Sequence, residues 1–305
     1  ETIKTLFPYL NKDTEAVLHV RRCGSLSAQQ LGMYLLEKAR EKSCEFQAGK
    51  FTGIETSGGK VSSVTIEQDG IESSIATDTL VLAPGPHLKK TLEKIGLDLP
   101  VVVEKHVKIS LPDTLNVVPR DTPLIIWNDP IELPWTDEEK SHLAESRETE
   151  WLLKTFPPGV HGRPVGAGNQ VLMYWTYDCE TSIYPEFPIV WDPYLPDVTL
   201  RGMAVMVPGL EKYFDPMPRP YVDGGYYTKT EENRPLIGPL KIPGTFVCGA
   251  FSGFGIMSAC GAGELLAQHI TSADLPDYAN AFLPSRYEDP LYLKEIKKWV
   301  VDGQL

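Results

Sequence analysis

The feature that most restricts the fold of this chain is an apolar run that ends in a glycine-rich turn and continues into a helical pattern. Residues 245–250 read as a buried strand, residues 251–255 as the turn, and residues 256–270 as the helix. Glycines let a backbone approach a ligand closely, and a helix start presents free N–H groups with a partial positive charge. The segment is therefore either a site for negative charge on a ring or carboxylate, or a packing turn between strand and helix.

A second apolar run also reads as a buried strand and is also followed by a glycine-containing turn. Leu80-Val81-Leu82-Ala83 is apolar at successive positions, which suits a strand buried on both faces of a parallel sheet. Pro84-Gly85-Pro86 ends it. The run is either a second backbone contact to a cofactor or simply the end of a strand.

The segments between and around these runs carry helix, strand and turn signals. A capping pattern at 27–30 predicts a helix to about Lys42, and the turn Asp69-Gly70 predicts a hairpin. Thr136 and Glu139 form a second capping box, opening a helix towards Phe156. Further predicted elements are strands at 51–54, 64–66, 71–75, 101–111 and 170–177, an irregular Pro-rich loop at 184–196, a helix from about 198 broken at Pro208, and a terminal helix from 287.

These patterns predict an α/β fold with a discontinuous nucleotide-type domain, built on a mixed sheet with a β-meander. A substrate domain with a largely antiparallel sheet is inserted into it. We place the first part of the nucleotide-type domain at 1–99, the inserted domain at 100–227, the second part at 228–288 and a tail helix at 289–305. A crevice at the strand ends of such a sheet is a usual ligand site.

Composition excludes several classes of partner. The net charge of −12 disfavours nucleic acid and anionic membrane surfaces, and no apolar run reaches the roughly 18 residues of a spanning helix. Five scattered cysteines without a C-x-x-C pair argue against a disulfide framework or a zinc site and fit the cytoplasm. The chain begins at Glu1 rather than Met, so we expect a processed or truncated start.

Few residues outside the turns suggest chemistry. The six histidines show no metal-ligand spacing, so no metal site is predicted. His106 shares one strand face with Lys108, which is either functional or a solvated face. Arg163 is either an anion anchor or a surface arginine. Tyr226-Tyr227 and Trp175 either line a pocket or belong to the core.

Four segments together resemble the D-amino-acid oxidase, glycine oxidase and sarcosine oxidase family of FAD-dependent oxidoreductases. They are Asp78–Pro86, which resembles the family's strand and A-x-G turn; 225–239, with Arg234-Pro235-Leu236-Ile237-Gly238-Pro239; 246–267, which resembles the C-terminal strand, turn and helix; and the ending 282–287. The order and spacing of the four segments indicate this family more specifically than any single segment does. Residues 110–200 match weakly.

The resemblance implies an FAD site and assigns residues to it. Phe51 looks like the residue whose backbone meets the adenine, and Ala83 and Gly85 look like cofactor backbone contacts. Tyr227 would lie over the flavin ring near the substrate; we take it and His106 as candidate catalytic residues. The residues that would lie along the ring are Phe251, Ser252, Gly253, Phe254, Gly255, Ile256 and Met257, and the candidate substrate contacts are Tyr226, Trp175 and Arg163.

The implied function is oxidation of a C–N bond of an amine or amino-acid-like substrate. C–O oxidation on the same scaffold, or a flavin-binding protein with a structural or assembly role, are alternatives. Gly225 stands where covalently flavinylated sarcosine oxidases hold a Cys, which implies non-covalent FAD, and Met257 replaces a Lys that holds the substrate carboxylate. The family's glycine-rich phosphate turn is absent from the sequence, so we expect an N-terminal segment or second chain to complete the FAD site.

Overall fold

The computed structural model describes residues 1–299 of the chain, which divides into two compact units. Unit 1 consists of Glu1–Ser25, His106–Cys179 and Phe187–Gly225. Unit 2 consists of Leu26–Lys105, Glu180–Glu186 and the described residues from Tyr226 to Trp299. The domain limits expected from the sequence, at residues 99 and 227, remain a proposal for the complete protein.

The regular elements are a mixture of helices and mostly antiparallel strands, which confirms the predicted α/β class. The helices are α1 (Thr2–Leu6), α2 (Ala28–Glu41), α3 (Leu88–Glu93), α4 (Asp137–Leu143), α5 (Leu195–Met206), α6 (Gly255–Thr271) and α7 (Pro290–Ile296). The strands are β1 (Lys50–Ser57), β2 (Lys60–Gln68), β3 (Ile71–Ala76), β4 (Leu80–Leu82), β5 (Val101–Pro112), β6 (Ile125–Ile126), β7 (His161–Pro164), β8 (Gln170–Tyr174), β9 (Thr181–Ser182), β10 (Tyr221–Thr230), β11 (Leu236–Pro239) and β12 (Thr245–Gly249).

Unit 1 is built on an antiparallel sheet with one covered face. The order is β10-β5-β8-β7-β6. The strand β9 pairs with Val103 and Glu104 at the start of β5, and all of these paired residues belong to unit 2. Burial alternates along β5: Ile109 and Leu111 are fully buried, whereas Lys108 and Ser110 are half-exposed. The buried face packs on α5, whose Val198, Leu200 and Met203 are also fully buried. This core leaves the opposite sheet face open to polar side chains.

Unit 2 contains a meander and a small mixed sheet. β1, β2 and β3 pair antiparallel, and the β2–β3 turn places Asp69 and Gly70 at positive φ, as the hairpin signal predicted. The mixed sheet has the order β11-β12-β4, with β4 parallel to β12. Leu82, Leu236 and Val247 form part of its core.

Helix signals in the sequence were accurate at helix starts and less so at helix ends. Ser27 accepts a hydrogen bond from the Gln30 N–H at 3.2 Å, and Thr136 and Glu139 form the complete reciprocal box. The helix expected to run towards Phe156 ends at Leu143 instead, because a turn at 146–149 interrupts it before a short 3₁₀ segment at Glu150–Leu153. The predicted tail helix is present as α7, and its last positions, 300–305, lie outside the described residues.

Within residues 1–299, no helix combines the length and apolar character needed to cross a membrane.

Candidate functional site

Two turns of unit 2 lie side by side at one edge of the mixed sheet. In the parallel pair, Leu80 is opposite Thr245 and Leu82 is opposite Val247. Parallel strands place their carboxyl ends at the same edge, so the turn after β4, with Ala83 and Gly85, adjoins the turn after β12. The pairing therefore brings together two of the segments that the sequence singled out. Such an edge is where open α/β sheets bind ligands.

The backbone of both turns takes up sparsely populated conformations. Gly85 has φ +56°, and in the turn after β12 Ala250 has φ +57° and Ser252 has φ +52°. A left-handed conformation in Ala or Ser is uncommon and often marks a functional site. Gly255, at the end of the predicted turn, has φ −49°, and among the described residues beyond its own helix backbone a Cβ there would meet only the Phe251 Cβ, at 3.8 Å.

Ser252 carries an unmet hydrogen-bonding group into this turn. Its side chain is almost fully buried, yet its Oγ has no hydrogen-bond partner among the described residues. Buried polar atoms are nearly always paired, so an orphaned hydroxyl beside a strained backbone indicates a ligand or water. The glycine pattern did not distinguish Ser252 from its neighbours.

The start of α6 is open. The helix has 17 residues, its N-cap Phe254 makes no side-chain cap, and its first turn has no acidic residue. Ile256 and Met257 are exposed there. The free N–H groups and the positive end of the helix dipole therefore favour negative charge next to an apolar surface.

Phe51 is half-buried on β1, in the predicted adenine-contact position. Its carbonyl accepts a hydrogen bond from Lys94 Nζ, which also lies 5.9 Å from the centre of the Phe51 ring. The register of β1 shifts between Phe51 and Gly53, so the backbone is irregular at this point. Adenine contact by this backbone stays a prediction.

Tyr226 and Tyr227 are half-buried on β10. The Tyr226 hydroxyl accepts from the Glu186 N–H at 3.1 Å and donates to the Glu186 carbonyl at 3.0 Å. Tyr226 therefore fixes the backbone of the Pro-rich loop, and its predicted substrate contact would have to use the ring. The catalytic role of Tyr227 stays a prediction.

In unit 1, His106 belongs to a cluster that the sequence did not reveal. His106 is 6% exposed, and its Nδ1 is hydrogen-bonded to the hydroxyl of Tyr174. The ring of His161 contacts Tyr174 edge to face at 4.7 Å between centroids, and Cys179 Sγ lies 3.9 Å from His106 Nδ1. The available sequence signal was the period-two alternation in 161–164 and 170–174. The alternation alone does not show which residues pair across the strands, so the cluster could not be predicted from it.

Trp175 requires a correction. It is 1% exposed, packs on Phe156 at 5.2 Å between ring centroids, and donates its indole N–H to the Pro157 carbonyl at 3.2 Å. A fully buried side chain with a satisfied donor offers no surface to a substrate, so Trp175 belongs to the core. Arg163 is half-buried on β7 and donates from NH1 to the Pro164 carbonyl at 3.1 Å.

The residues at the β4–β12 edge fit the group that the resemblance implies. The orphaned Ser252 hydroxyl and the uncapped start of α6 suit the electronegative edge of a flavin, and Phe254, Ile256 and Met257 offer exposed apolar surface for its ring. Apart from its two chain neighbours, no atom of the described residues lies within 4 Å of the Cβ position of Gly85, so a ligand can approach it.

Comparisons with known proteins identify the family and the fold of the chain. A sequence model described as "FAD dependent oxidoreductase" (DAO) matches residues 1–269. No curated protein matches the sequence. Similar solved structures include glycine oxidase from Bacillus cereus ATCC 14579 (14% identity, TM-score 0.65, 92% of this chain and 66% of that one), L-proline dehydrogenase from P. horikoshii (16%, 0.61, 85% and 59%) and iminodiacetate oxidase from Chelativorans sp. BNC1 (16%, 0.60, 84% and 58%).

At these identities the structures establish a shared fold. The chain spans 58–66% of the length of these three proteins, so the activity of a whole protein is a separate question.

Proposed function

We propose, from the premise that this chain belongs to the DAO family of FAD-dependent oxidoreductases, that it oxidises a C–N bond of an amine or amino-acid-like substrate. The observation that carries the proposal is the orphaned Ser252 hydroxyl in a strained turn at the carboxyl edge of two parallel strands. The names of the similar structures motivate the choice of bond, because each describes action on an amine or amino acid.

The chain's own residues would hold the cofactor and contact the substrate. The backbone of Ala83 and Gly85, the 251–257 turn and the Phe51 backbone would bind FAD non-covalently. When bound, FAD accepts the hydride that leaves the substrate carbon. Tyr227 and His106 would act on the substrate, with Tyr226 and Arg163 positioning it.

A further segment or a second chain would complete the FAD site. The 305 residues contain no G-x-G-x-x-G turn to grip the diphosphate, and in the described residues β4 pairs on one side only, with β12. An added strand on β4 would extend the sheet beside the cofactor edge. Supplying this element should convert weak FAD binding into stoichiometric binding.

One observation supports a flavin-binding protein with a structural or assembly role instead. Residues 251–271, the turn and all of α6, contain no Lys or Arg. A carboxylate-bearing substrate would lack a basic anchor in this segment, which is consistent with a site that binds flavin without turnover. C–O oxidation is a third outcome that the same experiment resolves.

The test is anaerobic mixing of the FAD-loaded complete protein with a panel of primary, secondary and carboxylate-bearing amines, with alcohols and hydroxy acids of matched shape alongside. Bleaching of the flavin absorbance by an amine supports C–N oxidation. Bleaching by the alcohols alone would favour C–O oxidation, and a flavin that stays oxidised with every compound would favour the binding role.

A further inference from the structure

The surface of unit 1 contains a recess that shares no residue with the sites proposed for the flavin and the amine. It has a volume of about 440 Å³ and is lined by Trp191, Arg219, Pro220, Tyr221 and Val222. All five residues belong to unit 1, so the recess lies within that unit. Its volume is in the range of sites that hold one small organic molecule.

The two segments that form the recess are anchored to the core of unit 1. Ile189, Met217 and Val222 all pack on that core. Burial alternates at the start of β10, where Val222 is half-buried and Tyr221 is 68% exposed. Trp191 is 41% exposed. The recess therefore has two aromatic side chains on an anchored backbone, and binding there requires little ordering of the chain.

Arg219 gives the recess a positive charge that the chain itself does not neutralise. Among the residues that the structure describes, its guanidinium has no hydrogen-bond, ion-pair or ring partner, and this includes Asp215, four positions earlier. The carboxylates next to the recess in the sequence are engaged elsewhere. Asp192 Oδ1 accepts a backbone N–H of its own turn at 2.8 Å, and Asp223 Oδ2 binds Lys108 Nζ at 2.9 Å. An unpaired guanidinium beside apolar surface favours an anionic ligand.

Proline on both sides restricts the backbone at Arg219. Pro218 and Pro220 each have a φ that is fixed by the ring, and a residue that precedes proline is restricted to extended conformations. The second restriction applies to Arg219 itself, because Pro220 follows it. The point from which the guanidinium side chain projects is therefore largely set before a ligand binds.

These groups match one carboxylate attached to a flat apolar body. Arginine binds a carboxylate through two parallel N–H···O bonds, and the rings of Trp191 and Tyr221 offer apolar surface to another ring. Arg219 is the one cationic side chain among the residues that line the recess, so the site balances a single negative charge. The net charge of −12 disfavours a polyanion such as nucleic acid.

We propose that this recess is a binding site for a small aromatic carboxylate. The Arg219 guanidinium binds the carboxylate, and the rings of Trp191 and Tyr221 pack on the aromatic body of the ligand. The site goes beyond the proposed amine oxidation and does not depend on it, because binding requires neither hydride transfer nor the flavin.

The test follows Trp191 by fluorine NMR in the FAD-loaded complete protein, labelled with fluorotryptophan. The Trp191 resonance is the signal that disappears in Trp191→Phe. We expect indole-3-acetate to shift this resonance saturably. Indole-3-acetamide, which lacks the charge, and acetate, which lacks the ring, should each need at least about tenfold higher concentrations for the same shift.

Arg219→Gln removes the charge and keeps a polar side chain. The dissociation constant of indole-3-acetate, measured at the Trp191 resonance, should rise at least about tenfold, because hydrogen bonds to a charged group are the strong ones. Arg147→Gln is the matched control. Arg147 is an exposed arginine of the same unit, does not line the recess and has no partner in the described part of the chain. Its substitution should leave the dissociation constant unchanged.

Three results would each overturn the proposal. They are a Trp191 resonance that does not move at millimolar indole-3-acetate, equal dissociation constants for indole-3-acetate and its amide, and an unchanged dissociation constant in Arg219→Gln. The comparison of acid and amide uses the wild type, so it decides the matter even if the variant does not fold. None of these results bears on amine oxidation, which is tested separately by bleaching of the flavin.

Discussion

At the scale of single residues, the most concentrated polar interaction lies in unit 2, around Glu232. Its side chain is fully buried, and its Oε1 accepts hydrogen bonds from Arg286 and from the hydroxyls of Tyr287 and Tyr292. Burial opposes ionisation of this carboxyl, but the hydrogen bonds and the Arg286 charge outweigh it, so its pKa lies below the usual value. The cluster ties the segment before β11 to the chain after α6.

Replacing Glu232 by Gln should lower the free energy of unfolding by roughly 3–5 kcal/mol at neutral pH, because Arg286 would stay buried without its partner charge. A lowered folded-state pKa contributes stability above the unfolded pKa of about 4.3, and that stability is lost as the pH falls through the folded value. The wild type should therefore weaken on acidification more steeply than the variant. Urea titrations at neutral and acidic pH measure both effects.

Glu41→Gln is the control for this change. Glu41 pairs with Lys38 on the surface of α2, and more than half of the Glu41 side chain is exposed. Loss of this ion pair should therefore lower the free energy of unfolding by no more than about 0.5 kcal/mol. Equal effects of the two substitutions, or parallel acid profiles for wild type and Glu232→Gln, would contradict the account of this cluster.

Sequence patterns predicted which residue types were candidates, but not which of them face a ligand. Trp175 follows directly after Tyr174, the last residue of β8, and only the structure shows that Trp175 enters the core while Tyr174 joins His106. Aromatic residues at strand spacing look alike from either face. The orphaned Ser252 hydroxyl was equally invisible, because hydrogen-bond satisfaction depends on residues distant in the chain.

At the scale of elements, unit 1 depends on close approach between α5 and Trp175, the residue that follows β8. A Cβ on Gly202 of α5 would lie 2.7 Å from Cε3 of Trp175, which is fully buried and rigidly packed. Gly202→Ala should therefore destabilise the protein by about 1–3 kcal/mol through overpacking, despite the higher helix propensity of Ala. Thermal or urea unfolding measures the change.

Gly263→Ala on the exposed side of α6 is the matched substitution. Beyond the backbone of its own helix, no atom of the described residues lies within 4 Å of the added Cβ, so helix propensity acts alone and should raise stability by up to about 1 kcal/mol. The two variants should thus shift stability in opposite directions. A stabilised Gly202→Ala would show that the helix can move away from Trp175.

Helices, strands and turns that carry local sequence signals were predictable, but the positions at which helices end were less predictable. The apolar run at 80–83, the Asp69-Gly70 turn and the Thr136–Glu139 box all correspond to the observed β4, hairpin and α4 start. The end of α4 at Leu143 was not predicted, since no Gly or Pro marks it in the sequence. Helix ends that depend on tertiary packing carry weak local signals.

At the scale of the whole molecule, the candidate site depends on pairing between segments about 165 residues apart. The pairing of Thr245 with Leu80 sets the edge at which both turns meet. A pairing between residues so far apart in the chain produces no local periodic pattern in the sequence. Only the order of motifs, through family resemblance, predicted that the two turns meet. The family and the fold class that the resemblance implied are confirmed, and the site residues assigned from it stay a prediction.

The central claim is that the turn between β12 and α6 holds the flavin. Gly255 tests it because its φ of −49° suits any residue and, among the described residues outside its own helix, Phe251 alone lies near its Cβ position. A bound ring would be displaced by an added side chain. Gly261 is the control, because it lies on the same helix and no described atom beyond that helix backbone lies within 4 Å of its Cβ position.

The measurement is the FAD dissociation constant of the complete protein for Gly255→Val and Gly261→Val, with circular dichroism as the check on folding. We expect both variants to fold and only Gly255→Val to bind FAD at least about tenfold more weakly, a loss of about 1.4 kcal/mol, with an altered flavin spectrum. A folded Gly255→Val variant with the wild-type affinity and spectrum would contradict the placement of the flavin at this edge.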